Sequence, residues 1–480
     1  MYEFLRVESQ SVNIFDIIVG FYFLMPAPAT ARVLIDAAGS ERLVHTENCP
    51  APHPSRSDFL MKARLRAVPG SEATQASRKA SKQEAILREA ASMFNEQGVG
   101  SVGFGDLSRR MGVGRATFYH YVADREDLIF RCYQRSCEAE TERLDLACEA
   151  DAGLPQVLDF IRLSLSPEAD QTALITDTGV LSEGPRAIIE RARRRNYERL
   201  AAMIGAGITA GNIRPCDEQL IARILPSILA FSRLSHRWLP VRQTARDPDA
   251  IADFIELGSA ASRTQDFSLT KSADDFSRVT LAEFGDQKIA DLKMEQILMK
   301  GSQLINRHGV ANVSLEDVAN ALGATRGTVY HYFSDRDDLV RSCLERSYEI
   351  YDAFVDYAVA HGRTGLEKAS IVSHLNAQAM VGSLQPVAGW MGLETLSDVT
   401  QKRAAKRMRE INARTQQLAE EGIRDGSRRQ HDYKAVTAAR AGAYLWIPKW
   451  IEDIDQPSPQ RIADEIVTLF NLGLAATARP

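Results

Sequence analysis

Residues Gly112–Tyr121 read G-V-G-R-A-T-F-Y-H-Y, and residues Gly323–Tyr332 read G-A-T-R-G-T-V-Y-H-Y. Both strings belong to a longer repeat, because the segment Glu84–Glu138 returns as Glu295–Glu349, 211 positions later and without a gap. Most substitutions between the two copies are conservative. Solenoid repeats span about 20–50 residues, so a period this long predicts a duplicated domain pair instead.

The first helix of each copy has recognisable start and stop signals. Ser81-Lys82-Gln83-Glu84 predicts a capping box, in which the serine accepts from the backbone and Glu84 reaches back to it. Apolar residues follow at helical spacing, and Gly98 ends the helix. The second copy repeats the apolar pattern and ends at Gly309.

Two short helices and a long one are predicted next. Asp106–Met111 forms the second helix, Gly112 interrupts it, and Arg115 starts the third. Asp124-x-x-Asp127 places acidic side chains at the N-terminus of the fourth helix, where they cap backbone amides. The matching signals in the second copy are Asp317–Leu322 with its Ser314 cap, Gly323, Arg326 and Asp335-x-x-Asp338.

A short helix, a glycine turn and a second short helix are typical of the helix-turn-helix, whose second helix enters the major groove of DNA. A generic helical hairpin has the same glycine punctuation, so the pattern alone leaves both interpretations open. The third helix carries Arg, Thr, Tyr and His. These side chains donate to phosphates and base edges, which favours DNA binding.

Both copies resemble the N-terminal DNA-binding domain of the TetR/AcrR family of bacterial transcriptional regulators, over Glu84–Arg135 and Glu295–Arg346. The resemblance implies an all-α fold. The implied fold consists of two tandem TetR-like units. Each unit is a three-helix helix-turn-helix domain followed by an α-helical ligand-binding and dimerisation domain. This chain departs from the family where typical members have lysine in place of Arg125 and Arg336. It also has Gly103-Phe104-Gly105 where a serine or threonine cap is usual, which predicts a looser second helix.

The C-terminal parts of the two units also correspond. In the family, the last two helices of each subunit form the four-helix bundle of a dimer. The resemblance therefore implies that one chain supplies both halves, as a covalent pseudo-dimer, with further dimerisation possible. The matching pieces are Gly207-Ile208 with Gly422-Ile423, the apolar helices Ala222–Leu239 and Val436–Ile451, and Ile251-Ala252-Asp253 with Ile462-Ala463-Asp464.

The repeat predicts the domain boundaries. Residues 1–80 have no counterpart in the second half and are expected to be a mostly disordered extension, with Met61 as an alternative start. The expected domains are a DNA-binding domain at 81–138, a ligand and dimerisation domain at 139–265, a linker at 266–287, a second DNA-binding domain at 288–349 and a second ligand and dimerisation domain at 350–480.

The motif predicts which residues contact DNA. In the first copy they are Arg115, Ala116, Thr117, Tyr119, His120, Tyr121 and Arg125, and in the second Arg326, Gly327, Thr328, Tyr330, His331, Tyr332 and Arg336. The two arginines at the start of the fourth helices are expected to hold backbone phosphate. Arg115 and Arg326 contact phosphate or guanine, or are merely solvated. Tyr121 and Tyr332 lie either in the core or at a phosphate.

Composition narrows the function classes. The net charge of −5 excludes binding to nucleic acid by bulk charge, so a local patch must do it. The longest apolar stretch, Ile17–Met25, is too short for a membrane helix. We expect a cytoplasmic protein that is no enzyme and uses no metal or cofactor, because no catalytic or metal-spaced constellation stands out. Cys132 and Cys343 occupy apolar helical faces and are expected to be core thiols.

Basic and aromatic residues of the C-terminal parts allow two interpretations. The runs Arg191–Arg195 and Lys402–Arg409 form either a solvated face or a cationic rim for an acidic ligand such as an acyl-coenzyme A. Trp390 and Trp446 belong either to the core or to a ligand cavity.

The sequence therefore predicts a DNA-binding regulator with a double-stranded, imperfectly palindromic operator. We expect a repressor released by a small hydrophobic or amphipathic effector. The alternative is an interaction or ligand-binding protein of the same fold with weakened operator binding.

Overall fold

The computed structural model describes residues 71–234, 247–263, 269–277, 286–388 and 392–476. The chain divides into two compact units, Met1–Ala80 and Ser81–Pro480, and nearly all described residues belong to the second. The disorder expected for residues 1–70 therefore concerns residues outside the described ones. All regular elements of the described residues are helical, which confirms the all-α class.

The described residues contain sixteen α-helices, eight in each half of the chain. The helices of the first half are α1 Ser71–Gln97, α2 Phe104–Met111, α3 Arg115–Phe118, α4 Arg125–Ala147, α5 Leu154–Ser164, α6 Glu183–Ala210, α7 Glu218–Leu234 and α8 Pro248–Leu257. Those of the second half are α9 Asp286–His308, α10 Leu315–Ala321, α11 Arg326–Tyr330, α12 Arg336–His361, α13 Gly365–Val381, α14 Asp398–Arg424, α15 Tyr433–Leu445 and α16 Pro459–Leu472. We call α1–α3 with the start of α4 the first head, and α9–α11 with the start of α12 the second head.

The start of α1 differs from the prediction. The helix begins at Ser71, so Ser81 lies inside it and the expected cap at Ser81 is wrong. The residues between them read E-A-T-Q-A-S-R-K-A and contain mostly good helix formers, with no glycine or proline. The last ten residues of the expected extension are therefore helical, and the helix starts directly after Pro69-Gly70 in the sequence.

The apolar helix expected to run to Ile451 also ends earlier. α15 stops at Leu445, and two 3₁₀ turns, Ile447–Lys449 and Ile451–Asp453, follow it. Pro448 has no N–H to donate and disfavours the helical conformation of the residue before it. The prediction overlooked this single proline.

Each head has its own apolar core, and the C-terminal helices of both halves share a third. Cys132 and Cys343 lie in the two head cores, 1% and 0% exposed, which confirms them as core thiols. Burial raises the pKa of each thiol to about 12, so both stay protonated at neutral pH.

The two halves exchange backbone hydrogen bonds in matched pairs. The Ser259 amide donates to the Phe470 carbonyl at 2.8 Å, and 215 positions later the Leu474 amide donates to the Ile255 carbonyl at 2.7 Å. Three further pairs obey the same shift: Ala260 to Asn471 with Ala475 to Glu256, Ala261 to Ser427 with Ala476 to Asn212, and Arg429 to Ser259 with Arg214 to Leu474. Such exchange of roles is the pattern of an isologous interface between two copies of one fold.

A bundle of α7, α8, α15 and α16 joins the halves. Its tightest crossing is between α7 and α15, where a Cβ on Gly442 would lie 2.5 Å from the Ser227 carbonyl oxygen. Gly442 and Ser227 occupy equivalent positions under the 215-residue shift. Nearby, the Trp450 indole donates to the Ser227 hydroxyl at 3.1 Å. Glycine at this point lets the two helix backbones approach closely.

Candidate nucleic-acid interface

Each head presents a very short helix after a tight glycine turn. Gly112 and Gly323, between the second and third helices, have φ of 64° and 63°, a left-handed conformation that favours glycine. An added Cβ would meet nothing within 4 Å at either position, so the backbone angle alone explains these glycines. The turns direct α3 and α11 away from α2 and α10, as in a helix-turn-helix.

One buried residue anchors each short helix. Phe118 in α3 and Val329 in α11 are both 0% exposed and lie in the head cores. Most of the other predicted contact residues face solvent or are half-buried. Exposed are Ala116, Tyr119, His120, Arg326, Gly327, Tyr330 and His331, and half-buried are Thr117, Tyr121, Arg125, Thr328, Tyr332 and Arg336. The side chain of Arg115 lies outside the described residues.

The exposed side chains of α11 hold one another in place. Arg326 Nη2 donates to the Tyr330 hydroxyl at 3.1 Å, and the guanidinium lies 4.9 Å from the Tyr330 ring centroid. The Glu316 carboxylate is 3.8 Å from Arg326 Nη1. The bond to Tyr330 is the main cause of a raised pKa for Arg326, which stays charged. A positive group and a phenol hydroxyl thus project together from the helix, a combination suited to phosphate and base edges.

The short helices α3 and α11, which the motif predicts to be the recognition helices, differ in how they are capped. Thr325 caps α11: its Oγ1 accepts from the Thr328 amide at 3.3 Å and lies 2.9 Å from the Thr328 hydroxyl. Gly114 occupies the same place before α3 and has no side chain to do this. The first head therefore holds its recognition helix with backbone bonds and the Phe118 anchor.

The helices before them show the same asymmetry. Ser314 caps α10 as predicted, and with Asp317 it forms a complete capping box, with bonds of 3.1 and 2.9 Å between each side chain and the other's amide. In the first head only the returning half exists, because the Gly103 amide donates to Asp106 Oδ2 at 3.0 Å and glycine offers nothing in exchange. α2 therefore keeps one of the two bonds of a capping box, at the helix start that the sequence predicted to be loose.

The caps of the long fourth helices are as predicted. The Asp124 carboxylate accepts from the Asp127 amide at 2.8 Å, and the Asp335 carboxylate accepts from the Asp338 amide at 2.9 Å. These bonds fix where α4 and α12 begin, and hence where each head joins its C-terminal helices.

The arginines at the start of these helices bind the protein's own loops. Arg125 donates from Nε to the Val102 carbonyl at 3.0 Å and from Nη2 to the carbonyls of Val99 and Gly100 at 2.6 and 2.9 Å. These bonds brace the loop between α1 and α2. The predicted phosphate contact stays a prediction for Arg125.

Arg336 makes a similar but weaker set of bonds. Its Nη1 donates to the Ala311 carbonyl at 3.3 Å, and its Nη2 donates to the Thr395 hydroxyl. Thr395 belongs to the C-terminal part of the second half, so Arg336 links that part to the second head. Sequence reasoning missed this bracing because the loop carbonyls that accept the bonds carry no side-chain signal.

Tyr121 and Tyr332 pack partly against the cores of their heads. His331 lies edge-on to Tyr332, with ring centroids 5.1 Å apart. In the first head, Phe104 contacts both Phe118 and Tyr119, at 6.1 and 5.3 Å between centroids. These ring contacts thus support the exposed side chains of α3 and α11 on the side that faces the head cores.

Two asparagines that sequence reasoning missed connect the heads to the C-terminal helices. Asn95 Nδ2 donates to the Thr172 carbonyl at 2.9 Å and its Oδ1 accepts from the Leu174 amide at 2.7 Å. Asn306, its counterpart 211 positions later, binds Pro386 and Ala388 in the same way, at 2.9 and 2.6 Å. An identical asparagine at the same position of both copies, next to the apolar face of an amphipathic helix, was the available signal.

The heads also touch each other. A Cβ on Gly100, in the loop after α1, would lie 2.5 Å from the side chain of Asn312, in the loop after α9. Farther back, the Lys449 ammonium donates to the Arg307 carbonyl at 2.8 Å. The position of one head is therefore constrained both by the other head and by α15 and the turn that follows it.

Within the described residues, no cluster of His, Cys, Asp and Glu has the arrangement of a metal site. The same residues include no helix with the length and apolarity needed to cross a membrane.

Comparison with known protein families identifies the domains of this chain. The model of bacterial regulatory proteins of the tetR family matches twice, at residues 86–132 and 297–343, over the two heads. A tetracyclin repressor-like C-terminal domain matches residues 368–474, which cover most of α13 and all of α14 to α16 of the second half. These matches place both heads and the C-terminal part of the second half in the TetR family. The chain carries two copies of the family's N-terminal domain.

Relatives in the family match over a short segment. HTH-type transcriptional regulator TtgR of Pseudomonas putida is 33% identical over 57 residues, which are 12% of this chain and 27% of the relative. Probable HTH-type transcriptional regulator ArpR of Pseudomonas putida matches with the same figures. The match thus spans about a quarter of the length of these curated relatives.

Solved structures are similar to this chain over longer segments at lower identity. The TetR family transcriptional regulator PfmR from Thermus thermophilus is 23% identical, covers 36% of this chain and 96% of its own, and has a TM-score of 0.31. AibR in complex with isovaleryl coenzyme A and operator DNA is 16% identical, covers 36% and 97%, and has a TM-score of 0.33.

Proposed function

We propose that this chain is a sequence-specific DNA-binding transcriptional regulator that acts as a single-chain pseudo-dimer, and that it is a repressor released by a small ligand. The observation that carries the proposal is the reciprocal bonding between the halves. Backbone bonds exchanged under a constant 215-residue shift are expected when two covalently joined units pack as a homodimer does.

DNA binding is supported by what the heads expose. Each short helix is anchored by one buried residue and turns polar or aromatic side chains outward, among them Thr328, Tyr330 and His331. We assign base contacts to Thr117 and Thr328, and phosphate contacts to Arg326 and the exposed aromatic residues. With a net charge of −5, affinity has to come from this local surface.

Release by ligand is supported by the bonds that tie the heads to the C-terminal helices. Asn95 and Asn306 connect the first helix of each head to segments 172–174 and 386–388. A ligand that moves these segments changes the positions of the heads. Two half-sites lie about 34–36 Å apart on DNA, so such a change weakens simultaneous binding. The ligand must prefer the non-binding state for this to occur.

A mobility-shift assay with the DNA upstream of the chain's own gene tests the function. We expect a discrete complex that resists excess random DNA, and an Arg326→Ala/Thr328→Ala double variant that loses it while keeping the thermal stability of the wild type. Arg363→Ala, which removes an arginine that is 81% exposed and pairs with Glu367 four positions later, is the matched control and should bind normally. Failure of the wild type to bind this DNA or any sequence selected from a random pool would favour the interaction protein.

A further inference from the structure

The first half contains a cavity among its C-terminal helices. Its volume is about 100 Å³, and α4, α5, α6 and α7 contribute to its wall. Phe160, Leu229 and Trp446 give it an apolar side. Trp446 belongs to the second half, so the cavity is completed across the contact between the halves. Trp390 lies outside the described residues.

Three arginines from three different helices line the same cavity: Arg143 of α4, Arg193 of α6 and Arg233 of α7. Of the basic run on α6, only Arg193 belongs to this wall, whereas Arg191, Arg194 and Arg195 are exposed. The run is therefore mostly a solvated face, with one residue turned inward.

The three arginines differ in the hydrogen bonds that they make within the protein. Arg233 donates from Nη2 to the Thr172 carbonyl at 3.0 Å and also to the Ala169 carbonyl. Arg193 Nη2 donates to the Tyr197 hydroxyl at 3.0 Å. Arg143 Nε is buried without a hydrogen-bond partner among the described residues.

The charges in the wall do not cancel. Glu140 is the acidic residue that lines the cavity with the three arginines, and its Oε2 accepts from Asn196 Nδ2 at 3.1 Å. Burial lowers the pKa of Arg143, although arginine stays protonated at neutral pH. The Ser164 hydroxyl, also in the wall, is likewise buried without a partner among the described residues. Buried cations and donors left unpaired are costly unless an anion pairs with them.

The second half lacks these charges. Under the shifts of 211 residues for α4 and 215 residues for α6 and α7, the three arginines correspond to Phe354, Met408 and Pro448. Phe354 is fully buried in the shared core, and Met408 packs against the core of the second head. Two apolar side chains and a proline offer nothing to an anion.

We propose that the cavity of the first half binds one small organic acid per chain. The carboxylate lies against Arg143 and the neighbouring arginines, and the apolar part lies against Phe160 and Trp446. The inference deepens the proposed function, because it names the class of the releasing ligand and the half of the chain that receives it.

The cavity is bonded directly to the first head. The Thr172 carbonyl accepts from Arg233 Nη2 at 3.0 Å and from Asn95 Nδ2 of the head at 2.9 Å. A carboxylate that pulls the Arg233 guanidinium away removes one of the two donors to the Thr172 carbonyl oxygen. The bond from Asn95 to the same oxygen changes as a result. The second half has Pro448 where Arg233 stands, so the ligand acts on one head first.

Benzoate, with benzamide as its neutral counterpart of the same shape, tests the site without DNA. Calorimetric titration of the full chain should give saturable benzoate binding at one per chain and at least tenfold weaker benzamide binding, because charge-assisted bonds are lost. Arg143→Met should weaken benzoate about tenfold or more, whereas Arg194→Met, on the exposed side of α6, should bind as the wild type does.

Several results would overturn the site: equal affinity for benzamide, two benzoates per chain, no saturable benzoate binding, or an unaffected Arg143→Met variant with wild-type stability. Inorganic phosphate that binds as tightly as benzoate would contradict an organic acid. DNA affinity is measured separately with and without benzoate. Benzoate that binds but leaves DNA affinity unchanged contradicts the release step alone, and no DNA binding at all contradicts the proposed function while the site stands.

Discussion

Arg125 shows that the sequence does not distinguish a structural role of an arginine from a DNA-binding role. Its position at the start of a helix and its charge predicted a phosphate contact. In the structure its guanidinium donates to three carbonyls of the loop between α1 and α2, and the phosphate contact stays a prediction. The sequence shows the charge but not the path of the loop backbone, because carbonyl positions depend on tertiary packing.

Replacing Arg125 by methionine should therefore lower stability as well as DNA affinity. Three carbonyls lose their donor, which costs about 1–3 kcal/mol in the free energy of unfolding. Arg109→Met is the matched control, since Arg109 is 81% exposed and pairs with Asp106 on its own helix, and it should change stability by less than about 0.5 kcal/mol. Equal chemical-denaturation midpoints for Arg125→Met and wild type would show that the bracing contributes nothing.

We assign the recognition of the operator's base sequence to Thr117 and Thr328. Thr328→Ala should lower affinity for the operator by about 1–3 kcal/mol and leave affinity for random DNA almost unchanged. Thr117→Ala should do the same at the other half-site, so each serves as the control of the other. Fluorescence anisotropy with operators mutated in one half-site at a time measures both. Proportional weakening on operator and random DNA would instead mark these threonines as phosphate contacts.

At the scale of elements, local signals predicted most helices, and the two largest errors were at the start of α1 and the end of α15. The caps at Asp124, Asp335 and Ser314 form as predicted, because a capping bond joins residues only three positions apart. The start of α1 was misplaced because a cap pattern inside a run of helix formers does not stop a helix. The end of α15 was misplaced because apolar spacing was given more weight than Pro448.

The crossing of α7 and α15 gives a sharp test of how the halves pack. A methyl group at Gly442 would lie 2.5 Å from the Ser227 carbonyl oxygen, so Gly442→Ala forces the helices apart and should destabilise by about 1–3 kcal/mol. Gly205→Ala in α6 meets nothing within 4 Å and should stabilise by about 0.5–1 kcal/mol, as alanine does in a helix. Thermal unfolding of both variants should show shifts of opposite sign. An unchanged or raised midpoint for Gly442→Ala would contradict the close crossing.

At the scale of the whole molecule, the two halves belong to one chain and differ in sequence, which the two subunits of a homodimer cannot do. The repeat predicted the architecture from sequence because its copies align without a gap. The cavity arginines were not predictable as a group, since Arg143, Arg193 and Arg233 lie on separate helices and only tertiary packing brings them together. The same holds for Asn95, whose partners lie 77 and 79 positions away.

Divergence of the recognition helices should appear in the DNA sequence that they select. α3 carries Arg115, Ala116 and Thr117, whereas α11 carries Arg326, Gly327 and Thr328 with a threonine cap. A homodimer reads both half-sites identically, but this chain does not have to. Selection from a random pool should give an imperfect palindrome. Fully symmetric half-sites in the consensus would contradict this prediction.

The number of chains on one operator tests the pseudo-dimer most directly. Under the proposed function, the reciprocal bonds between the halves hold one chain as the counterpart of a family dimer, and its two heads bind two half-sites about one helical turn apart. Native mass spectrometry of the chain with a short operator duplex, at concentrations well above the dissociation constant, gives the composition of the complex. The account predicts one chain per duplex at saturation, and a complex of two chains on one short duplex would contradict it.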